Sequence, residues 1–160
     1  MAERFAKTFF ERKKEGTPVK FVGKPGTGKT LLAFIIYQEL VKAGYSVKYE
    51  SSIEFIKDLL EMKFTAQREF TSHFKKFSQY DLLIIDEATE SINKDGAPSE
   101  IEKQVLLKLI NERYANQSCT LIITNRDNDE LINRLGSPIV RRLTENGISL
   151  AFTWDVYRQK

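Results

Sequence analysis

The residues best suited to chemistry stand in one short stretch, GKPGTGKT, which runs from Gly23 to Thr30. Two glycines enclose four residues, and a lysine and a threonine follow the second glycine. Glycines let the backbone curl tightly and point several N–H groups at one anion, and the lysine adds a positive charge. A hydroxyl beside that lysine is a ligand for Mg²⁺. The spacing G-x-x-x-x-G-K-[ST] therefore predicts a P-loop, which binds the phosphates of a nucleotide such as ATP.

The elements on both sides of this loop agree with that interpretation. The preceding VKFV is typical of a strand, and the following LLAFIIYQELVKA is typical of a helix that ends near Gly44. The apolar start of this helix, LLAFII, predicts burial on all sides. Lys29 is predicted to reach the β- and γ-phosphates of ATP, and Thr30 to ligate Mg²⁺. The predicted nucleotide-binding residues are Gly23, Lys24, Pro25, Gly26, Thr27, Gly28, Lys29, Thr30 and Leu31.

Two acids, Asp86 and Glu87, follow the apolar run Leu82 to Ile85. Ligands of parallel sheets bind beyond the carboxyl ends of strands, so Asp86 is predicted to face the same Mg²⁺ through water. Glu87 is then predicted to orient or deprotonate an attacking water. The alternative is a pair of acids that merely ends a strand. Asn125 ends the next apolar strand and is predicted to lie between that water and the γ-phosphate.

Composition limits the class of protein. The chain has 160 residues, 41% hydrophobic and 29% charged, which predicts one globular domain over residues 1–160. We expect no membrane partner, because no apolar run approaches the ~20 residues of a span. Cys119 is the only cysteine, so an internal disulfide is excluded and a cytoplasmic location is expected. The net charge of +3 permits a nucleic-acid partner without arguing for one.

Strands alternate with helices along the chain, which predicts an α/β fold with a mainly parallel sheet. Capping boxes are predicted at Ser51-x-x-Glu54 and Ser99-x-x-Glu102, each opening a helix. The other predicted elements are a helix over 3–14, strands at 20–23, 47–50, 82–86, 119–125 and 148–152, a helix carrying Phe70, Phe74 and Phe77 on its buried face, a polar loop over 89–98, and short helices broken near Gly136 and Pro138.

Several stretches together carry a resemblance to a known family: GKPGTGKTLLA, YDLLIIDEA, VLLKLINERYANQ with TLIITN, LGSPIVRRL and FTWDVYR. They resemble the AAA+ ATPase domain of bacterial replicative helicase loaders of the DnaC/DnaI type, within the DnaC/IstB-like ATPases. The resemblance runs from about Phe5 to Arg158. It implies a P-loop NTPase fold and a five-stranded sheet in the order 5-1-4-3-2 with helices on both faces. We expect no C-terminal lid of the kind that many AAA+ proteins have, because the residues after Phe152 leave no room for one. The resemblance also implies ATP hydrolysis at the junction between neighbouring subunits.

The resemblance assigns roles to individual residues. Lys29 and Thr30 match Walker A, Asp86 and Glu87 match Walker B, and Asn125 matches sensor 1. Arg142 matches the arginine finger that enters a neighbour's site, so the implied catalytic residues are Lys29, Glu87, Asn125 and Arg142. Arg141 is the alternative finger, and a solvated helix face is the alternative for both arginines. Ser137-Pro138 replace a Glu-Arg pair that many relatives have.

The implied partners are a replicative helicase, single-stranded DNA and further copies of the chain. Lys63, Arg68, Lys75 and Lys76 are candidates for DNA contacts, and a solvated helix face is their alternative. Because only about 18 residues precede the first strand, we expect the helicase-binding region of loaders to be absent, or the chain to be a fragment.

Three other functions remain open: a transposition helper ATPase, a small-molecule kinase, and a nucleotide-gated binding module with negligible turnover. The TWDVYR ending counts against the first of these. The Asp86-Glu87 pair favours hydrolysis over a kinase, and the full set of motif residues counts against the binding module.

Overall fold

The computed structural model describes residues 8–9, 15–88 and 98–154. Most of the helix predicted over 3–14, most of the predicted polar loop and the DVYR part of the chain's ending lie outside these residues. Within the described part, no helix is long and apolar enough to cross a membrane.

Five strands form a single sheet, and every pairing between neighbours is parallel. The strands are β1 (Val19–Gly23), β2 (Val47–Ser51), β3 (Leu82–Asp86), β4 (Cys119–Thr124) and β5 (Ile148–Phe152). Their order across the sheet is β2-β3-β4-β1-β5, which is the predicted order 5-1-4-3-2 read from the opposite edge. All residues of β3 and β4 are buried, as expected for inner strands of a parallel sheet covered on both faces.

Helices cover both faces of the sheet: α1 (Lys29–Lys42), α2 (Ser52–Thr65), α3 (Gln67–Gln79), α4 (Glu100–Ala115), α5 (Asn128–Leu135) and α6 (Ser137–Thr144). Alternate residues of β3 point to opposite faces, which explains its continuous apolar sequence. Leu82 and Ile84 pack in the core beneath α1, whereas Leu83 and Ile85 pack in the core formed by α2 to α6.

The predicted end of α1 is confirmed, but its predicted burial is wrong. Gly44 follows the helix with φ +85°. The Gly44 N–H donates to the carbonyl of Val41, and the Tyr45 N–H donates to the carbonyl of Leu40, each at 3.0 Å. Leu31 is 63% exposed and Phe34 48% exposed. Only one face of the helix contacts the sheet, and its first turns border an open cavity.

The two predicted capping boxes have different outcomes. Ser99 accepts a hydrogen bond from the Glu102 N–H, and the Glu102 carboxylate accepts one from the Ser99 N–H, so this box is confirmed. The box at Ser51 is wrong because Ser51 is the last residue of β2 and its side chain makes no capping bond. No linking residue separates β2 from α2.

A fully buried arginine on α4 joins three elements. The Nε of Arg113 donates to Thr120 Oγ1 at 2.9 Å, and Nη1 donates to the Phe77 carbonyl at 2.7 Å. Its Nη2 donates to the carbonyls of Tyr80, at 3.0 Å, and Cys119. Burial lowers the pKa of Arg113 to about 10. The end of α3 and the start of β4 are thereby fixed to α4, beside the predicted core residue Phe77.

Candidate functional site

The glycine-rich loop joins β1 directly to α1, and two of its glycines are required by the backbone. Gly28 has φ +90° at the N-cap of α1, in the left-handed region that favours glycine. At Gly23, an added Cβ would lie 2.4 Å from the carbonyl oxygen of Phe152, on the neighbouring strand β5. The loop therefore starts against β5 and ends on a helix N-terminus, where backbone N–H groups are free to bind an anion.

Lys29 is folded into this loop. The residue is 5% exposed, and its Nζ donates to the carbonyl oxygens of Gly23 and Lys24, each at 2.7 Å. Burial lowers the pKa of Lys29, and the charge of Asp86 partly opposes that effect. Both carbonyl acceptors are neutral, so these two contacts leave the ammonium charge available to a bound anion.

Asp86, at the end of β3, meets residues from two other elements. Its Oδ2 accepts a hydrogen bond from Thr30 Oγ1 at 2.8 Å, and the Tyr49 hydroxyl donates to the same oxygen. Burial and this hydrogen bond raise the pKa of Tyr49, so its hydroxyl is a donor at neutral pH. The sequence predicted that Thr30 and Asp86 would meet, but it gave no signal for Tyr49.

The β2–β3 register explains how Tyr49 reaches the acid. Tyr49 is paired with Ile84, and Asp86 lies two residues further along β3 on the same face. A side chain as long as tyrosine spans such a diagonal separation. Because β2 is an edge strand, Tyr49 closes the outer side of the Thr30–Asp86 pair.

Glu87 has an unusual backbone conformation, with φ +53°, and its N–H donates to Asp86 Oδ1 at 2.9 Å. The next N–H, that of Ala88, donates to the carbonyl of Ile123 on β4 at 3.0 Å. These contacts fix the chain where it turns away from β3. Glu87 and Asn125, which follow neighbouring strands, are both exposed and line the same cavity.

That cavity has a volume of about 1220 Å³, above the ~300–1,000 Å³ of most small-molecule sites. Seven of the nine predicted nucleotide-binding residues, Pro25 to Leu31, line it. Gly23 and Lys24 contribute the carbonyls that hold Lys29. The sequence did not single out six of the lining residues as parts of a site: Phe34, Tyr37, Lys48, Tyr49, Ile123 and Trp154.

The donor set suits a magnesium ion that is shared with phosphates. Among the described residues, no group of three or more His, Cys, Asp or Glu could hold a metal alone. Thr30 and Asp86 supply two adjacent oxygens, and Mg²⁺ commonly takes one or two protein ligands and completes its shell with phosphate and water.

The sequence model of the IstB-like ATP binding proteins matches residues 4–153. The chain belongs to this family. The replicative helicase loader DnaC of Escherichia coli K12 is 32% identical to this IstB-like protein over 145 residues, covering 88% of the chain and 56% of DnaC. The chain thus spans little more than half the length of that relative.

Solved structures agree on the fold of this IstB-like protein. A crystal structure of the DnaC helicase loader superposes with a TM-score of 0.81 at 24% identity, covering 94% of this chain and 85% of that one. The replication initiator DnaA bound to AMPPCP and single-stranded DNA superposes with a TM-score of 0.79 at 22% identity, covering 96% of this chain and 45% of DnaA. The predicted AAA+ P-loop fold is therefore confirmed.

The two finger candidates of this IstB-like protein stand on α6, away from its own cavity. Arg141 is exposed. Arg142 is half-buried, with its guanidinium carbon 5.9 Å from the ring centre of Tyr114 on α4. Neither arginine is among the described residues that line the cavity.

The four candidate DNA-contacting cations lie in different surroundings. Arg68 and Lys75 are exposed and seven residues apart on α3, so they share the face away from buried Phe74. Lys76 lines a smaller cavity of about 180 Å³ beside α2 and β2, and Lys63 is half-buried near the end of α2. Phe64, which the sequence did not single out, is 70% exposed where α2 meets α3.

Proposed function

We propose that this IstB-like protein binds ATP with Mg²⁺ and hydrolyses it as a replication accessory protein, coupling its nucleotide state to assembly on a replicative helicase and single-stranded DNA. One observation carries the enzymatic part: the Thr30 hydroxyl lies 2.8 Å from the Asp86 carboxylate, at the wall of a cavity that Lys29 also lines. The replication part is supported by the 32% identity to the helicase loader DnaC.

Nucleotide binding would rest on three groups of this chain. The N-terminal N–H groups of α1 and the ammonium of Lys29 would bind the phosphates. Thr30 and Asp86 would hold Mg²⁺, and Tyr49 would keep the Asp86 carboxylate oriented by donating its hydroxyl hydrogen. Bound Mg²⁺ would supply positive charge that offsets the charge of the phosphates.

Hydrolysis would use the two exposed polar residues that follow β3 and β4. Glu87 would accept a proton from the attacking water, and Asn125 would orient that water towards the terminal phosphate. The bonds that the Glu87 and Ala88 backbone makes to Asp86 and Ile123 support this role, because they fix the direction from which the carboxylate enters the cavity.

Arg142 would complete the site of a neighbouring copy. Its absence from the lining of its own cavity agrees with action in trans, and a finger in a neighbour's site would stabilise charge on the γ-phosphate. Arg141 is the alternative, because it is the more exposed of the two. In either case, activity would depend on assembly.

The DNA surface would centre on α3 and its junction with α2. Arg68 and Lys75 would neutralise phosphates of the strand, and exposed Phe64 would offer a ring on which a base stacks. Lys63 and Lys76 would contribute long-range attraction, since Lys63 is half-buried and the exposed Lys76 also lines the smaller cavity beside α2 and β2.

A transposition helper is the second candidate, because the matching family model is that of IstB-like ATP binding proteins. The DnaC relative favours the loader. Purified protein should be captured by its host's replicative helicase rather than by a transposase and duplex DNA. The reverse preference would establish the helper function.

The central experiment measures ATP hydrolysis across protein concentration, with and without single-stranded DNA. Specific activity should rise with concentration and with DNA. Lys29→Ala should lose nucleotide binding, whereas Arg142→Ala should bind ATP and hydrolyse it ~10³–10⁵-fold more slowly. An equal mixture should recover turnover, because about a quarter of head-to-tail junctions pair an intact site with an intact finger.

Arg141→Ala is the matched variant for this mixture. If it loses turnover and is rescued by Lys29→Ala while Arg142→Ala stays active, the finger is Arg141. If neither arginine variant is rescued although both still associate, hydrolysis in trans is refuted. Unchanged ATP affinity in Lys29→Ala would remove the P-loop assignment itself.

A further inference from the structure

Trp154 is the only tryptophan of the chain, and none of the roles proposed above uses it. It lies two residues after β5 and lines the large cavity together with Pro25 and Gly26. Its indole Nε1–H donates to the carbonyl of Thr27 in the P-loop at 3.0 Å, and its ring packs on Phe152 with centroids 4.9 Å apart. Even so, the residue is 49% exposed.

The strand order places the proposed hydrolytic residues and Trp154 on opposite sides of β1. Glu87 and Asn125 follow β3 and β4, which lie on one side of β1 in the sheet. Trp154 follows β5, which lies on the other side of β1. The P-loop follows β1 and therefore stands between them. If the terminal phosphate faces Glu87, the nucleoside extends towards β5, where the indole ring lines the wall.

The contacts of the indole leave its ring available to a flat apolar group. The polar N–H is already bonded to Thr27, so it would not serve a phosphate. That bond and the packing against Phe152 also fix the orientation of the ring. A half-exposed aromatic ring held rigidly in a cavity wall is suited to stack on a planar base, and it gains little from a phosphate chain.

We propose that Trp154 contacts the nucleobase in this site, with its exposed ring stacked on a purine and its indole N–H positioning the P-loop through Thr27. The proposal rests on the nucleotide binding proposed above and adds the group that recognises the nucleoside. It also gives a role to the tryptophan of the FTWDVYR ending.

Because the chain has one tryptophan, its intrinsic fluorescence reports on Trp154 alone. The full chain is titrated with ADP and, separately, with inorganic tripolyphosphate, which carries phosphates and no base. Binding of each is followed by calorimetry, and the indole by acrylamide quenching. ADP should protect Trp154 from quenching, and tripolyphosphate should not. Equal protection by both ligands, or no protection by bound ADP, overturns the base contact.

Two variants separate stacking from loop positioning. Trp154→Ala should weaken ADP binding about 5- to 150-fold, the usual effect of removing an aromatic ring from a base. Its affinity for tripolyphosphate should change less than its affinity for ADP, since only one neutral hydrogen bond within the protein is lost. Trp154→Phe keeps a ring on Phe152 and should lose less ADP affinity than Trp154→Ala. Ile132→Ala removes another partly exposed apolar side chain, outside the cavity lining, and is the control.

The outcomes distinguish this proposal from the one it rests on. If the unmodified chain fails to bind ADP, the proposed nucleotide site itself fails. If the unmodified chain binds ADP and both Trp154 variants bind ADP as tightly as the unmodified chain does, only the role of Trp154 is refuted. An equal loss of ADP and tripolyphosphate in both variants would leave Trp154 as a support of the P-loop and overturn the base contact.

Discussion

Tyr49→Phe tests whether the hydroxyl on Asp86 positions the proposed magnesium ligand. The change removes one oxygen and keeps the ring. Hydrogen bonds to charged groups contribute ~1.5–3 kcal/mol, and Tyr49 is only half-buried, so we take the lower limit, about 1.5 kcal/mol. That energy corresponds to about a tenfold change in an equilibrium constant. We therefore expect the Mg²⁺-dependent part of the ATP affinity to fall about tenfold.

The assay compares the ATP affinity of each protein in Mg²⁺ and in EDTA. In Tyr49→Phe the affinity in EDTA should match that of the unmodified chain, and the gain on adding Mg²⁺ should be smaller. Tyr45→Phe removes a hydroxyl from a tyrosine that is not part of the cavity lining and serves as the control. The pKa of Tyr49 is raised above the ordinary tyrosine value of about 10. The Tyr49 hydroxyl therefore keeps its proton, and its hydrogen bond to Asp86, throughout the pH range below 10. The difference between the two proteins should therefore be constant from about pH 7 to 9.

Two results would refute this reasoning. If adding Mg²⁺ increases the ATP affinity of Tyr49→Phe as much as that of the unmodified chain, Asp86 is positioned without Tyr49. If adding Mg²⁺ increases the ATP affinity of Tyr49→Phe more than that of the unmodified chain, the Tyr49 hydroxyl competes with the metal for the Asp86 carboxylate oxygen.

Three further changes test other parts of the molecule. Glu87→Gln should bind ATP normally and release phosphate about 10²–10⁴-fold more slowly, because an amide does not accept the proton; normal turnover would exclude Glu87 as the base. Replacing Arg68 and Lys75 together by alanine should weaken single-stranded DNA binding and lower the salt slope by about 1.4, measured by fluorescence anisotropy; an unchanged slope would return both residues to an ordinary solvated face. Arg113→Met should lower the free energy of unfolding by at least about 3 kcal/mol in urea, because it leaves several buried oxygens without donors at ~1–3 kcal/mol each; a loss below about 1 kcal/mol would show that water replaces the guanidinium.

The sequence predicted the strands and the P-loop well because their signals are local. A glycine pattern, an apolar run ended by acids and a capping box at Ser99 each depend on residues close together in the chain. The strand order and the finger came from the family resemblance, since spacing alone does not determine which strands pair.

Features that depend on tertiary packing were missed. Tyr49 reaches Asp86 only because of the β2–β3 register, which no spacing in the sequence encodes. The apolar start of α1 suggested burial, but hydrophobicity does not reveal that Leu31 and Phe34 border a cavity. The sequence at Ser51 matched a capping box, but the preceding strand continues through that residue and its side chain makes no capping bond.

The backbone at Glu87 has a consequence for engineering. Holding the backbone of a residue other than glycine at φ +53°, as at Glu87, costs of order 1–3 kcal/mol. Glycine would relieve that strain, so a selection for heat tolerance alone should favour Glu87→Gly. Such a selection would remove the proposed general base while raising the melting temperature. Screens for thermostable forms of this chain should therefore measure phosphate release as well as resistance to heat, because a change at Glu87 is expected to raise stability and lower activity.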